Sequence, residues 1–336
     1  MNKIGLASVA AVVLSGSAMA DWRSGVLDNV IDGGEARMIG TFTRAQLDAM
    51  RGTAAKNTSL YSSNWTNDSN GATYTAGNMT NNVSGSAAGQ GGWYAYSTST
   101  TGNNTAVSNY KIAAGRPGGQ TGQGLQITGS NTSAGSRYLY QDLSAQWAAR
   151  NAGDDIIWAE YSQFCASSAS TSGNRAGTVF FDTTGTKFLT GMAIEMGTLG
   201  TSTTQRSVYG YANYLNGTAT GNFRFKLSDQ TLTGGGTSPK ALSGGWTQFA
   251  TSFNKTTGEV FWYYSVDGGA NYTGFYVNGA GAGSDVAEFD YYTSTTSGST
   301  VGVTVNYGDL SIYATPAPGA AALVGLAGLM ARRRRA

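Results

Sequence analysis

Histidine is absent from the 336 residues, cysteine occurs once, proline four times, and charged side chains make up only 12%. Without imidazole the chain cannot run Ser-His-Asp or Cys-His catalysis or hold a His-ligated zinc ion. One cysteine excludes an intrachain disulfide framework and a multi-cysteine metal cluster. That residue, Cys165, closes an alternating segment and reads as a small buried hydrophobe. Positive charge is scarce as well. Of 21 basic residues, Lys3 and Arg332, Arg333, Arg334 and Arg335 lie at the two ends, which leaves 16 between residues 21 and 314 against 19 acidic ones. A body with that balance offers no basic face to neutralise phosphates, so nucleic acid is not an expected partner.

What is present at the N-terminus has the order of a secretory signal peptide over residues 1–20. Lys3 is the cationic start, Ile4 to Leu14 the apolar stretch, and Ala18-Met19-Ala20 the small-residue cleavage site, with Ala18 and Ala20 flanking the position that signal peptidase reads. At the other end, Thr315-Pro316-Ala317-Pro318-Gly319 interrupts any strand, since proline donates no backbone N–H. Twelve apolar residues follow, Ala320 to Ala331, and then the four arginines. As a helix that run spans roughly 18 Å, short of the ~30 Å hydrocarbon core, which suits a transient anchor with its arginines on the cytoplasmic side. The order of proline motif, short apolar segment and arginine cluster resembles the PEP-CTERM sorting signal of exported bacterial proteins, with Pro-Ala-Pro-Gly in place of Pro-Glu-Pro. The resemblance covers residues 315–336. It implies recognition by an exosortase-type membrane protease and delivery to the cell envelope, cell surface or extracellular space, the membrane being met only through this terminal helix.

Between the ends the pattern is that of strands. Two short helices are expected, one after the capping box at Thr43 to Gln46 and one over Asp142 to Arg150. From Asp155 onward alternating segments recur between turn residues: 155–165, 177–182, 188–196, 206–212, 222–227, 246–253, 259–266, 272–277, and a last pair over 301–307 and 310–313. Asn254-Lys-Thr-Thr-Gly258 is a hairpin loop, and Val260, Trp262, Tyr264 and Val266 share one side of the strand that follows it. Short strands, Gly-rich turns and no β-α alternation indicate an all-β antiparallel sandwich, though length alone also allows a barrel, a β-helix or two smaller sandwiches. The run from Trp246 to Val260 and the closing Gly308-Asp309-Leu310-Ser311-Ile312 resemble the concanavalin-A-like, laminin-G-like jelly roll. The expected organisation is therefore a signal peptide (1–20), a polar extension with a short helix (21–84), a jelly-roll sandwich (85–314) and the sorting segment (315–336). Residues 53–135, rich in Gly, Asn, Ser and Thr, are expected as loops and edge strands laid on the sandwich.

Three patterns bear on function. Glu288-Phe-Asp290-Tyr-Tyr-Thr293 resembles the Glu-x-Asp-x-x-Glu strand of retaining glycosidases on this jelly roll, with Thr293 where the last carboxylate belongs. A hydroxyl is too weak an acid to replace it, so the strand reads as a surface strand with two solvated acids and no catalytic residue is expected. Aromatic clusters could stack on sugar rings: Trp93, Tyr94 and Tyr96, or Trp262 with Tyr264. Asp267 and Asn271, and Asp154-Asp155, are candidate calcium ligands, while turn chemistry alone accounts for Asp267-Gly-Gly. The expectation is a non-catalytic, structural or adhesive surface or matrix protein, with a lectin-like module for extracellular polysaccharide as the alternative and a degenerate glycoside hydrolase behind it. No cofactor is expected beyond calcium.

Overall fold

The computed structural model describes residues 30–32, 36–52, 57–99, 102–130, 135–165, 174–195, 205–230, 237–242, 244–295 and 303–316. Signal residues Ala18 and Ala20, and Ala317, Pro318, Gly319 and Arg332 to Arg335 of the sorting segment, lie outside these residues; Pro316 is the last inside and is exposed. No helix among the described residues is long and apolar enough to cross a membrane.

The strands form two ten-stranded sheets packed face to face. Sheet A holds β1 (Ile31–Asp32), β5 (Ser84–Ala88), β6 (Tyr94–Ser97), β9 (Gly135–Asp142), β11 (Arg175–Asp182), β12 (Phe188–Glu195), β13 (Gln205–Asn216), β14 (Ala219–Lys226), β15 (Ala241–Leu242) and β19 (Val286–Thr295). Its order is β1-β14-β13-β12-β11-β19-β9-β6-β5, with β15 attached to β13. Sheet B holds β2 (Arg37–Thr43), β3 (Thr58–Ser63), β4 (Gly77–Asn78), β7 (Tyr110–Ala113), β8 (Gly124–Thr128), β10 (Ile156–Cys165), β16 (Gly245–Asn254), β17 (Glu259–Ser265), β18 (Asn271–Asn278) and β20 (Thr304–Thr315). It runs β2-β18-β17-β16-β10-β20-β8-β7-β4, with β3 also on β20. Pairing is antiparallel throughout except where β1 lies parallel to β14.

Strand alternation builds the core as expected. Ile157, Ala159 and Tyr161 of β10, and Val260, Trp262 and Tyr264 of β17, face sheet A and are fully or almost fully buried. The two sheets meet through rings: Phe225 of β14 lies 5.3 Å from Trp262, and Tyr161 donates from its hydroxyl to the Met192 carbonyl. At the expected hairpin, Gly258 N–H bonds to the Asn254 carbonyl at 2.8 Å and takes φ +79°, a conformation in which a side chain is strained.

Three expectations are corrected. The sandwich does not begin at residue 85, because β2 pairs with β18 and β3 pairs with β20, so the polar extension supplies strands of sheet B. Within residues 53–135, β4 and β5 are edge strands as expected, but the described part of this region does not merely lie on the sandwich: it inserts Trp65, Tyr74 and Trp93 into the core. Polar bonds hold them there: Asp68 Oδ2 accepts from Tyr74 OH at 2.8 Å, Tyr74 and Tyr61 hydroxyls lie 2.7 Å apart, and Trp65 Nε1 donates to the Gly308 carbonyl. Of the expected pair over 301–307 and 310–313, residues 301 and 302 lie outside the described residues, and the rest is not two strands. Gly308-Asp309 does not turn the chain, and one strand, β20, runs through, with register shifts against β10 between Tyr161 and Gln163 and against β3 between Ile312 and Tyr313.

Helix α1 (Arg44–Arg51) has both bonds of its capping box, Thr43 with Gln46. It packs Leu47 onto Trp158, Ala250, Tyr263 and Tyr272 on the outer face of sheet B. Arg44 and Arg51 fix it by pairing with Glu160 at 2.6 and 2.5 Å. Helix α2 (Ser144–Ala148) buries Trp147.

Candidate binding face on sheet A

Sheet A is the unusual layer, because both of its faces are buried. Residues that alternate away from the main core, Tyr138, Val179, Phe181, Phe188, Ala193, Tyr209, Tyr211 and Tyr292, form a second cluster on the outer side. Antiparallel partners directly opposite each other share a face, so the register lays these residues out in rows across the strands. One row reads Tyr94, Tyr140, Asp290, Val179, Gly191, Tyr211, Arg224 from β6 to β14. The next reads Tyr96, Tyr138, Tyr292, Gly177, Ala193, Tyr209, Lys226.

The middle of each row holds small residues, and tyrosines from both sides lean over them. Tyr292 and Tyr211 stand three strands apart, a span of about 14 Å at the usual spacing. Their ring centroids nevertheless lie 6.1 Å apart at 82°. Toward β6 the rings stack in pairs, Tyr94 on Tyr140 at 5.2 Å and 18°, and Tyr96 beside Tyr138 at 6.5 Å and 30°. At the other end the Arg224 guanidinium lies over the Tyr209 ring at 5.0 Å and 3.5 Å from Glu195. Burial raises the phenols of Tyr211 and Tyr292, so both stay neutral near pH 7. Tyr138, Tyr211 and Tyr292 are themselves buried, so the ring surface this face offers to an external molecule is that of Tyr94 and Tyr96 on β6.

Of the residues expected to stack on sugar, the structure keeps two at the surface. Tyr94 and Tyr96 are half-buried on the outer face. Trp93, Trp262 and Tyr264 have no exposed surface at all, so none can meet an external ring, and their assignment as a stacking platform is corrected to core. Trp93 sits next to Tyr94 in sequence but turns to the opposite face, where its Nε1 donates to Tyr61 OH at 2.9 Å. Glu288 and Asp290 are not solvated acids on a surface strand: β19 is central in sheet A, and both carboxylates are buried. They do share the outer face. Thr293 does not join them, because the pairing of β19 with β9 runs without a bulge and places Thr293 on the core side.

The candidate calcium ligands are occupied within their own turn. Asp267 Oδ1 accepts from Ser265 Oγ at 2.6 Å and from the Ala270 and Asn271 N–H groups, and Oδ2 accepts from Asn271 Nδ2 at 2.9 Å. Asn271 therefore offers this carboxylate its N–H rather than a ligating oxygen. Asp154 takes bonds from Thr58 and Asn151, and Asp155 pairs with Arg150. Hydrogen bonds from Ser265 and from the backbone and side chain of Asn271 hold the Asp267 pKa down to about 2. A carboxylate whose folded pKa is lowered stabilises the fold above its unfolded pKa and loses that contribution as pH falls through the folded value. Amide exchange at Ala270 and Asn271 is accordingly expected to accelerate only as pH drops from about 4 toward 2, beyond the intrinsic pH effect. An onset near pH 5 would show that the turn is not held by this carboxylate.

No protein-family model matches the sequence, and no curated protein matches it. Solved structures match in shape only. A GH43 glycoside hydrolase engineered for endo-xylanase and exo-arabinofuranosidase activity shares 14% identity over 66% of this chain, at a TM-score of 0.39. The chain spans only 38% of that enzyme's length. The CBM2 module of the evolved Dit from Lactobacillus casei BL23 phage J-1 shares 9% over 57% of this chain and 77% of its own, at 0.38. The carbohydrate recognition domain of Emp47p shares 8% over 78% of this chain and 99% of its own, at 0.37. Scores this low carry no argument about what the chain binds. The fold stands on its own strands: two antiparallel sheets in an all-β sandwich.

Proposed function

We propose that the chain is an exported surface or matrix protein that holds extracellular polysaccharide against the outer face of sheet A, in an adhesive rather than a catalytic role. One observation carries this reading: two tyrosine rows cross the sheet to the half-exposed Tyr94 and Tyr96 on β6, next to the edge strand β5. Ring faces of this kind meet the weakly apolar C–H face of a sugar, and their own phenol hydroxyls supply hydrogen bonds. A hydrolytic role is disfavoured by the inward turn of Thr293, which takes the position of the last carboxylate in the glycosidase pattern off the face that Glu288 and Asp290 share. The terminal segments fit the same role through signal peptidase at Ala20 and an exosortase-type protease at the Pro316 motif.

Calorimetry of the purified chain against galactomannan, hydroxyethyl cellulose and alginate, with calcium and then with chelator, tests the reading. Saturable binding to at least one polymer is expected. At about 1 kcal/mol per stacked ring, the double variant Tyr94→Ala/Tyr96→Ala should bind on the order of tenfold more weakly or worse. Its thermal unfolding should stay near that of the parent. Equal affinity in parent and double variant would remove the site from this face. No binding by the folded parent would return the protein to a purely structural role.

A further inference from the structure

The outer face of sheet B carries a second cross-strand row that none of the sequence patterns singled out. Register places Asn78, Lys111, Gln126, Asn306, Phe164 and Trp246 side by side on β4, β7, β8, β20, β10 and β16. Each alternates with core residues such as Met79, Ile112, Ile127, Tyr307 and Phe249, so the row faces away from sheet A. Five strand spacings make it about 24 Å long. It holds one cation and no carboxylate.

Trp246 is the feature that needs explaining. Large aromatics on a sandwich normally turn inward, yet this indole is half-exposed. It is also fixed. Its Nε1 donates to the Pro117 carbonyl at 3.0 Å, and Phe164 lies against it at 5.5 Å and 60°. Gly118 and Gly308 let backbone come close: a Cβ on Gly118 would stand 3.2 Å from Trp246 Nε1, and one on Gly308 would stand 3.4 Å from Cζ3. Arg116 anchors the Pro117-Gly118 loop by donating to the Gln123 and Asn64 carbonyls and pairing with Asp309. With its only polar atom bonded inside, Trp246 presents carbon alone to the outside, in one position, at little entropic cost to a ligand. Beside it Gln126 Nε2 donates to Asn306 Oδ1 at 3.1 Å. That bond orients both amides and leaves the Gln126 carbonyl oxygen and the Asn306 N–H groups for hydroxyls.

The geometry points to this row as a second polysaccharide site for a neutral, hydroxyl-rich chain, stacked on Trp246 and hydrogen-bonded by Gln126, Asn306 and Asn78. It rests on the glycan-binding reading of the protein but not on the Tyr94 and Tyr96 face. Because the two rows occupy opposite outer faces, one molecule would join two polysaccharide chains and act as a cross-link in a matrix.

The test combines calorimetry and low-shear viscosity of the purified chain with galactomannan. Two variants are compared, Trp246→Ala and Tyr94→Ala/Tyr96→Ala, with Trp246→Phe and Gln126→Ala as milder changes on the same row. The parent should raise the viscosity of dilute polymer, and either variant should abolish that rise while keeping half of the binding stoichiometry. Trp246→Phe should retain most of the cross-linking, and Gln126→Ala should weaken the sheet B site with unchanged thermal unfolding. Loss of cross-linking in the tyrosine variant together with a parent-like Trp246→Ala would overturn this proposal and leave the sheet A face standing. A parent-like Gln126→Ala together with a Trp246→Ala chain that unfolds would also overturn it, making Trp246 a structural residue. Failure of the folded parent to bind any polymer would overturn both readings.

Discussion

Trp93→Ala will lower the stability of the folded chain by about 3–5 kcal/mol. The side chain has no exposed surface and stands where the N-terminal region enters the sandwich, within 5.6 Å of both Tyr61 and Trp65 and 5.7 Å of Tyr291. Truncation removes those contacts and opens a cavity between the sheets that backbone on both sides prevents from closing. It also removes the Nε1 donor shared by the Tyr61 and Tyr74 hydroxyls at 2.9 and 3.2 Å. Trp93→Phe separates the two effects: most of the volume is kept and one buried donor is lost, at about 1 kcal/mol. Urea denaturation of both variants checks the ratio. An unchanged midpoint for Trp93→Ala accompanied by lost glycan binding would show that this ring faces a ligand after all.

Gly177→Ala is the second large effect, although it adds only one methyl group. A Cβ at this position would stand 2.0 Å from the Met192 carbonyl oxygen and 2.6 Å from Ala193 Cα. Both obstacles are main chain, so no rotamer change relieves them and β11 must part from β12. The cost should reach about 3 kcal/mol or more, at or above the top of the usual range for overpacking. The disturbance should carry to the outer face, because Gly177 lies in the row that Tyr292 crosses. Gly115→Ala is the control, since a Cβ there meets nothing within 4 Å and its backbone is ordinary. It should change stability by less than about 0.5 kcal/mol. Thermal unfolding of the pair decides the matter, and equal melting points would mean that the two strands have room to separate.

The fold was legible wherever one face of a strand is polar and the other apolar. Ile157, Ala159 and Tyr161 declare their side by alternation, Asn254 to Gly258 declares its turn, and Thr43 with Gln46 declares a helix start. The candidate site was harder to see because sheet A is aromatic on both faces. Where β6 begins, the sequence Trp93-Tyr94-Ala95-Tyr96 offers rings to each side, and nothing local tells which side is the core. Glu288 and Asp290 were misplaced for a related reason. Acidic residues signal solvent in a strand of unknown position, and only the pairing with β9 and β11 shows that β19 is central. Polar composition misled over residues 53–135, where a few rings joined by buried hydrogen bonds outweigh many small polar side chains. Trp246 marked the fold, as the first residue of the run that resembles the jelly roll, and nothing local marked it as a binding residue. Its partner row is assembled from β4, β7, β8, β20 and β10, which are distant in sequence.

The strand order also constrains how the chain can acquire its structure. The last two strands, β19 and β20, are interior strands: β19 joins β11 to β9, and β20 joins β10 to β8 while also holding β3. Until β19 has been synthesised sheet A exists only as two unjoined halves, and until β20 follows sheet B is two halves with β3 unattached, all with exposed edges. The closing contacts span long stretches of sequence, β3 with β20 among them, so loop closure makes folding slow and late. No N-terminal portion of the sandwich can settle into the native arrangement while the remainder is still being made. For a chain proposed to cross a membrane before it folds, that delay amounts to a built-in period of export competence, ended by the same strand that leads into Pro316.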